Sequence, residues 1–600
     1  MKQQHYLAAL LLAATPLAQA ATETLDEVVV TATRTEQAAV ASLASVTVIT
    51  RQDIERLQAQ SLPDVLRGVA GLTVSNNGGA GKPTSVYLRG TNADHVLVLV
   101  DGIKIGSATL GTAAFQDIPV AQIERIEIVR GPRASLYGSE AIGGVIQIFT
   151  RKGGGALTPS ASFTAGSYGT YNTALGLSGG GDQGWFNAKV NQQNTKGFNA
   201  KRNATGADLD RDGYHNSSLG MSGGYRFDNG AIADAQVLRA NSRNKFDGTV
   251  ENEGEGVQQV LGGSLKFAPM QIWNMTLRAG SSQDNSNNFL NGVFKSRFNT
   301  QRDSLSWQND FAVNADDSFT AGMDYQNDRV DSTKLYAKTS RSNNAVFGQY
   351  QGVFGRSSVQ ASARRDNNQQ FGGHTTSGLG YGYALSDDTR FTASYGTAFK
   401  APTFNALYWP ISGNPALRPE LARSVELGLA GLATLGKWSV NAYQTDITDL
   451  IVFDSSFNPV NASARLTGLE GRLKTRLTDW DINTTLTLQD PRQISGPNQG
   501  KLLNRRATEA MRVEIARQIG EVRVASSLYG EGRRYDDLAN TPSKKLGGYG
   551  LLDVHAEYRV NKEWLVQGRI DNLLDKQYET VQFYNQARRA VYVTLNYQPR

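Results

Sequence analysis

Cysteine is absent from all 600 residues. An exported chain without disulfides cannot be a small stapled scaffold, so its stability has to come from packing or from a sheet closed on itself. Long apolar runs are missing too. No stretch approaches the roughly 18–20 residues that a helix needs to cross a bilayer. Any crossing therefore falls to a closed β-barrel, the other architecture that pairs every backbone group internally. Histidine is scarce, and five residues scattered along the chain make neither a zinc cluster nor a nucleophile–base set. The run Gly153-Gly154-Gly155 lacks the lysine and Ser/Thr that follow in a nucleotide-binding loop. A net charge of +6 is too mild to point to a polyanion. Neither an enzyme nor a nucleic-acid binder is expected.

What is present begins at the N-terminus. Lys2 and His5 precede a short apolar run at 6–14, and Ala18-Gln19-Ala20 follows Pro16. A basic start, a short apolar stretch and a small-x-small site make residues 1–20 a signal peptide, with the mature chain beginning near Ala21. Residues 21–35 hold a short β-prone run and a polar linker. A mixed α/β unit over 36–155 follows. Strands are expected at 46–50, 86–88, 96–100, 123–130 and 144–150, with a helix over 51–67 broken near Leu62-Pro63. The runs 96–100 and 145–149 are apolar almost throughout, as in strands buried on both faces.

Beyond Pro159 the texture changes. Phe186, Ala188 and Val190 alternate with Asn187, Lys189 and Asn191; Val591, Val593 and Leu595 alternate with Tyr592, Thr594 and Asn596. A period of two, apolar outward and polar inward, marks a lipid-facing barrel with a wet lumen. A soluble sandwich or propeller alternates as well, and length decides between them. Residues 156–600 suffice for about 22 strands at roughly 20 residues per strand and connection. A barrel so wide leaves a hole that needs a plug, and the preceding unit has a suitable size. The 62 glycines, 23 tyrosines, 22 phenylalanines and 7 tryptophans fit its turns and its two interfacial girdles.

Two blocks resemble the plug of TonB-dependent receptors. One is Ser85-Val86-Tyr87-Leu88-Arg89-Gly90-Thr91-Asn92 with His95-Val96-Leu97-Val98-Leu99-Val100-Asp101-Gly102. The other is Ile123-Glu124-Arg125-Ile126-Glu127-Ile128-Val129-Arg130-Gly131-Pro132 with Tyr137-Gly138-Ser139-Glu140-Ala141-Ile142-Gly143-Gly144. Asp571-Asn572-Leu573-Leu574-Asp575-Lys576-Gln577-Tyr578-Glu579-Thr580 looks like the family's last periplasmic turn. Within the family, Gly131-Pro132-Arg133, Gly413-Asn414-Pro415 and Tyr578-Glu579-Thr580-Val581 are most similar to the cobalamin-receptor subgroup. The resemblance implies a transmembrane β-barrel of about 22 antiparallel strands filled by an N-terminal α/β plug domain. It also implies energy-coupled import of cobalamin across the outer membrane of a Gram-negative bacterium. A monomer surrounded by lipopolysaccharide and other outer-membrane lipid is expected, with the TonB protein as periplasmic partner. A ferric siderophore or haem is the alternative cargo; a passive porin or adhesin is the alternative class.

One site is legible without the family. Asp208, Asp210 and Asp212 stand at alternate positions before Gly213, and in an extended strand alternate side chains share a face and converge on one hard cation. An EF-hand would need glutamate at its twelfth position, where this chain has Leu219. The resemblance instead implies a calcium cage in extracellular loops built from Asn199, Asp208, Asp210, Asp212, the Phe246 carbonyl and Asp247. A later acidic ligand is open among Glu251, Glu253 and Glu255. The plain alternative is an acidic solvated loop. For the cargo, the resemblance falls on Pro83, Ser85, Asn92, Leu110 and Gly111 of the plug and on Gly248 and Arg505 of the barrel. Asn92 and Ser85 have the chemistry to hydrogen-bond amide arms, and Arg505 to pair with a phosphate or amide oxygen, unless Arg505 and Arg506 are both lumen-lining charges. Asp26, Glu27, Val28, Val29, Val30, Thr31 and Ala32 resemble the TonB box, a β-branched stretch suited to joining a partner's sheet edge.

Overall fold

The computed structural model describes residues 29–31, 33–204 and 209–599. The expected leader, Asp26, Glu27, Val28, Ala32 and Asp208 lie outside the described residues. The chain enters through two short paired strands, β1 (Val29–Val30) and β2 (Gln37–Ala38), and then builds a small sheet. Strand β3 (Val46–Thr50) leads directly into α1 (Arg51–Leu57), because Thr50 and Asp53 cap the helix reciprocally: Thr50 Oγ1 accepts from Asp53 N, and the Asp53 carboxylate accepts from Thr50 N at 2.9 Å. The break expected near Leu62-Pro63 comes earlier in the 51–67 helix. Helix α1 stops at Gln58, which adopts a left-handed φ of 51°, and α2 (Leu62–Leu66) restarts under a Ser61 cap. Pro63 therefore opens the second helix rather than ending the first, as its missing N–H allows.

A hairpin, β4 (Leu72–Asn76) with β5 (Thr84–Leu88), follows, and then β6 (Val96–Val100) and β7 (Ile103–Ile105). The unit closes with β8 (Ile123–Arg130), α3 (Ala134–Tyr137) and β9 (Gly144–Thr150). The main sheet has the order β3-β8-β9-β6-β7, with β6 and β9 parallel. Every residue of β6 is buried, as are the first five of β9. That is why 96–100 reads as an unbroken apolar run and 145–149 as one interrupted only by Gln147. The core gathers Ile49, Ile54, Leu66, Val98, Ile126 and Ile146.

From Thr158 the chain forms a closed barrel of 22 antiparallel strands. The first, Thr158–Gly166, pairs with the last, Ala590–Tyr597, with Ala161 opposite Tyr597, so no edge is exposed to lipid. Alternation sorts side chains as the sequence pattern demands: Val593 is 53% exposed, whereas Gln567 and Arg569 on the neighbouring strand are 5% and 7% exposed toward the lumen. Because the strand count is even, the barrel's two ends lie at one rim. Connections at that rim are short (181–183, 271–272, 434–435, 520–521), and the long ones (196–213, 401–419, 496–508, 532–548, 572–589) all lie at the other. Short periplasmic turns and long extracellular loops are the rule for such barrels. This parity corrects one expectation. The segment 571–580, read as a periplasmic turn, enters the long loop 572–589 at the extracellular rim, where Tyr584 bridges Lys201.

Val593→Arg is expected to destabilise the barrel by about 2–4 kcal/mol, the cost of a cation at the bilayer midplane, with Val593→Leu neutral. Urea titration in lipid vesicles, followed by tryptophan fluorescence, measures both; a loss below about 1 kcal/mol would place Val593 at the interface.

Candidate functional site

The plug lifts two tips toward the long loops. The turn between β4 and β5 is one. It carries Pro83, exposed, and Ser85, half-buried, and its glycines press against the loop 196–213: a Cβ on Gly78 would stand 2.4 Å from that of Ala200. Loop 106–114 is the other tip. Leu110 is 61% exposed, and Gly111 holds a φ of +79° while donating its N–H to Ser107 O at 2.7 Å. That conformation favours glycine. Asn92 lies between the tips but is engaged: its Oδ1 accepts from Arg506 Nη2 at 2.6 Å and its Nδ2 donates to Ile451 O at 3.3 Å. Arg505 pairs with Asp536 at 2.7 Å and so ties loop 496–508 to loop 532–548. Gly248 sits half-buried in loop 246–252. The sequence reading gave Arg505 to the cargo and named Arg506 only beside it as a lumen-lining charge. Arg506 is the buried one, donating to Gly90 O and Thr91 O across the plug–barrel gap and lying 4.4 Å over the Tyr87 ring.

The acidic residues come together across two loops. Carboxylate oxygens of Asp210, Asp212 and Asp247 all lie within 4.8 Å of one another. Asp212, 3% exposed, also accepts from Ala200 N at 2.7 Å. Nearby, Lys82 donates its ammonium to Asp212 O at 3.1 Å and to Asn244 Oδ1 at 2.7 Å. Burial pushes that ammonium down to about 8 against the pull of Asp212 and Asp247. An oxygen-only set of this size fits a hard cation such as calcium. Asn199 turns its Oδ1 to Lys201 N and offers its carbonyl to Asn585, and Phe246 donates its N–H to Asn252 O. The later carboxylates differ in where they go: Glu255 pairs with Arg243 on the exposed face, and Glu251 accepts from Ser296.

Beneath the tips, plug and barrel are joined by buried ions. Arg89, 2% exposed, makes bidentate pairs with Glu426 (2.8 and 3.0 Å) and Glu470 (2.9 and 2.9 Å). Burial alone would lower its guanidinium, but the two carboxylates hold it above its ordinary value. A second group joins Lys400 to Asp94 at 2.6 Å and to Glu420 at 3.1 Å, with His95 on Glu420 at 3.0 Å. The sequence reading missed these barrel glutamates, although Glu426 and Glu470 occupy lumen-facing positions on alternating strands. At the N-terminal end, Thr31 donates N–H and hydroxyl to Glu127 Oε2 at 2.8 and 2.9 Å, and Tyr137 OH donates to Thr31 O at 2.6 Å. Arg34 clasps Asp324 of the barrel at 2.8 Å. The described part of the 26–32 segment is thus docked inside the lumen.

Two family models match this chain. One, described as TonB-dependent Receptor Plug Domain, covers residues 39–145; the other, described as TonB dependent receptor-like, beta-barrel, covers 149–573. Curated relatives include the vitamin B12 transporter BtuB of Photobacterium profundum, 33% identical over 95% of both chains. BtuB of Vibrio cholerae is also 33% identical, over 96% of this chain and 95% of its own. Among solved structures, the ferric enterobactin receptor PfeA of Pseudomonas aeruginosa superposes with a TM-score of 0.79 at 16% identity, covering 92% of this chain and 98% of its own. The siderophore receptor PiuA of Acinetobacter baumannii gives 0.80 at 16%, covering 94% and 97%. At such identity the structures speak for the fold alone.

Arg89→Ala strands the buried Glu426 carboxylate and leaves Glu470 with Arg130 at 3.7 Å, and is expected to weaken plug docking by about 3–5 kcal/mol, whereas replacing Arg89 and Glu426 together (Arg89→Met, Glu426→Gln) should cost much less. Urea-dependent proteolysis of the plug in the intact chain reads both; equal losses would deny the group its role.

Proposed function

We propose, from the premise that this chain belongs to the TonB-dependent receptor family, that the cargo it imports is cobalamin. Membership makes the chain a Gram-negative outer-membrane transporter that works with TonB and a bound ligand, and not an enzyme. The observation that carries the cargo reading is the full-length likeness, at 33% identity, to proteins named vitamin B12 transporters. The siderophore receptors match at 16–20%, which leaves their cargo without weight here.

In this reading, cobalamin settles on the exposed tips at Pro83, Ser85, Leu110 and Gly111, under the loops that carry Gly248 and Arg505. Asn92 reaches the cargo only by exchanging its bond to Arg506. Asp210, Asp212 and Asp247 would hold calcium, joined by Asp208, Asn199 and the Phe246 carbonyl. When bound, the ion supplies positive charge that offsets the repulsion among the carboxylates and keeps loops 196–213 and 246–252 together. Ordering the loops in advance spares the cargo that entropic cost. Residues 26–32 then serve as the TonB box. TonB pairing with this stretch competes with the bonds of Thr31 to Glu127 and Tyr137, and a ligand-favoured state that loosens them shifts the balance toward release. A single chain in a shell of lipopolysaccharide suffices for all these steps.

Titration of the purified receptor with radiolabelled cobalamin tests the assignment. Nanomolar binding with calcium is expected, weakened by an order of magnitude or more by chelation or by Asp247→Asn. Tight binding of a ferric siderophore with no binding of cobalamin would overturn it.

A further inference from the structure

The plug does not fill the lumen evenly. On the side of α2 the gap at the wall is water-sized, about 30 Å³ between Arg67, Arg512 and His555. On the side of β7 lies a cavity of about 640 Å³, within the roughly 300–1,000 Å³ of small-molecule sites. Its low end reaches Trp185, Gly230 and Lys266 beside the periplasmic turns, and its high end reaches Asn368 and Ala401 beneath the extracellular loops.

Three features make this cavity more than a packing fault. First, its roof is a breakable lattice. Glu140 of the plug meets Lys104 at 3.3 Å and Arg302 of the wall at 3.2 Å, and Arg302 in turn meets Asp328 at 2.7 Å. Just above, Phe404 N and Asn405 N donate to Ala108 O and Thr109 O, so the tip bearing Leu110 and Gly111 forms the outer surface of that roof. Second, its plug-side wall includes β7, one of the two edge strands of the sheet. An edge strand leaves by breaking one ladder rather than two. Ile103 sits in a notch between Gly262 and Gly280 of the barrel, and Ser282 Oγ donates to Lys104 O at 2.8 Å; these are the contacts that hold the strand to the wall. Third, Thr31, Arg34 and Glu36 are themselves part of the lining. Drawing the N-terminal segment toward the periplasm removes them from the cavity and breaks the Arg34–Asp324 pair, so the pull enlarges this space directly.

We propose that this cavity is the passage of the imported solute. Solute leaves the tip at Leu110–Gly111 through the opened roof and descends between β7 and the wall, while β3, at the other edge of the sheet, stays in place. The inference rests on the importer reading of the chain but not on which cargo it carries.

The absence of native cysteine makes a thiol test clean. A Cβ on Gly280 would stand 2.8 and 2.9 Å from the two γ-carbons of Ile103, and one on Gly380 would stand 3.2 Å from the Cβ of Leu43; both place a pair close to disulfide separation. Cells carrying Ile103→Cys/Gly280→Cys or Leu43→Cys/Gly380→Cys are compared with the parent for surface binding and for uptake of radiolabelled cobalamin, before and after reduction. All three should bind equally. The oxidised pair at β7 should lose uptake by an order of magnitude or more and regain it on reduction, while the pair at β3 should import normally. Uptake unaffected by the β7 tether, or stopped equally by both, would overturn the passage. Absence of cobalamin binding in the parent would indict the cargo assignment instead. The passage is then read without cargo, from labelling of the cavity-lining Ser304→Cys by an external maleimide in energised cells. The β7 tether should suppress that labelling and the β3 tether should not; the reverse, or equal labelling, would again overturn it.

Discussion

The hydrogen bonds between the first and last barrel strands govern everything else in this molecule. A strand edge left open in hydrocarbon has no water to satisfy it, so the sheet that starts at Thr158 must close on the strand that ends at Tyr597. With 22 strands the closed cylinder is far wider than its own side chains can fill. The N-terminal unit becomes its stopper. An outward apolar stripe, an inward polar stripe and a plug bound by polar contacts then follow from one geometric condition.

Much of the contact between stopper and wall is ionic and hydrogen-bonded, with apolar contact gathered in patches such as Ala134 and Ile142 against Ala398, Ala422 and Leu466. Arg89 with Glu426 and Glu470, Lys400 with Asp94 and Glu420, and Arg302 with Glu140 and Asp328 are each satisfied while docked. None carries the large hydrophobic driving force that would make separation prohibitive. Buried pairs of this kind contribute little net stability against well-packed apolar groups. They also exchange readily for water when a gap opens. A transporter plug needs that combination: leak-tight at rest, separable under a pull. Thr31 and Arg34 extend the same chemistry to the segment on which the pull would act.

Local patterning made much of this legible from the sequence. Strands β3, β6, β8 and β9 fall where the sequence pattern placed them, and the near-continuous apolar runs of β6 and β9 match their burial on both faces. The barrel count followed from length and a two-residue period. Three features escaped because they depend on long-range geometry. The break in the 51–67 helix falls at Gln58 instead of Leu62-Pro63, since a left-handed residue ends α1 before proline is reached. The 571–580 segment belongs to the extracellular rim, which only strand parity reveals. The partners of Arg89 lie more than 300 residues away on strands whose inward glutamates look like any lumen charge. At the acidic cluster, spacing brought Asp210 and Asp212 together, but the convergence of Asp247 from a separate loop was legible only through family resemblance.

Energy entering at the docked N-terminal segment is the premise of import by this receptor. Deleting residues 26–32 and measuring surface binding and uptake of radiolabelled cobalamin by the same cells tests it most directly. Binding should be retained while uptake disappears. Uptake at the parent rate without those residues would contradict the claim.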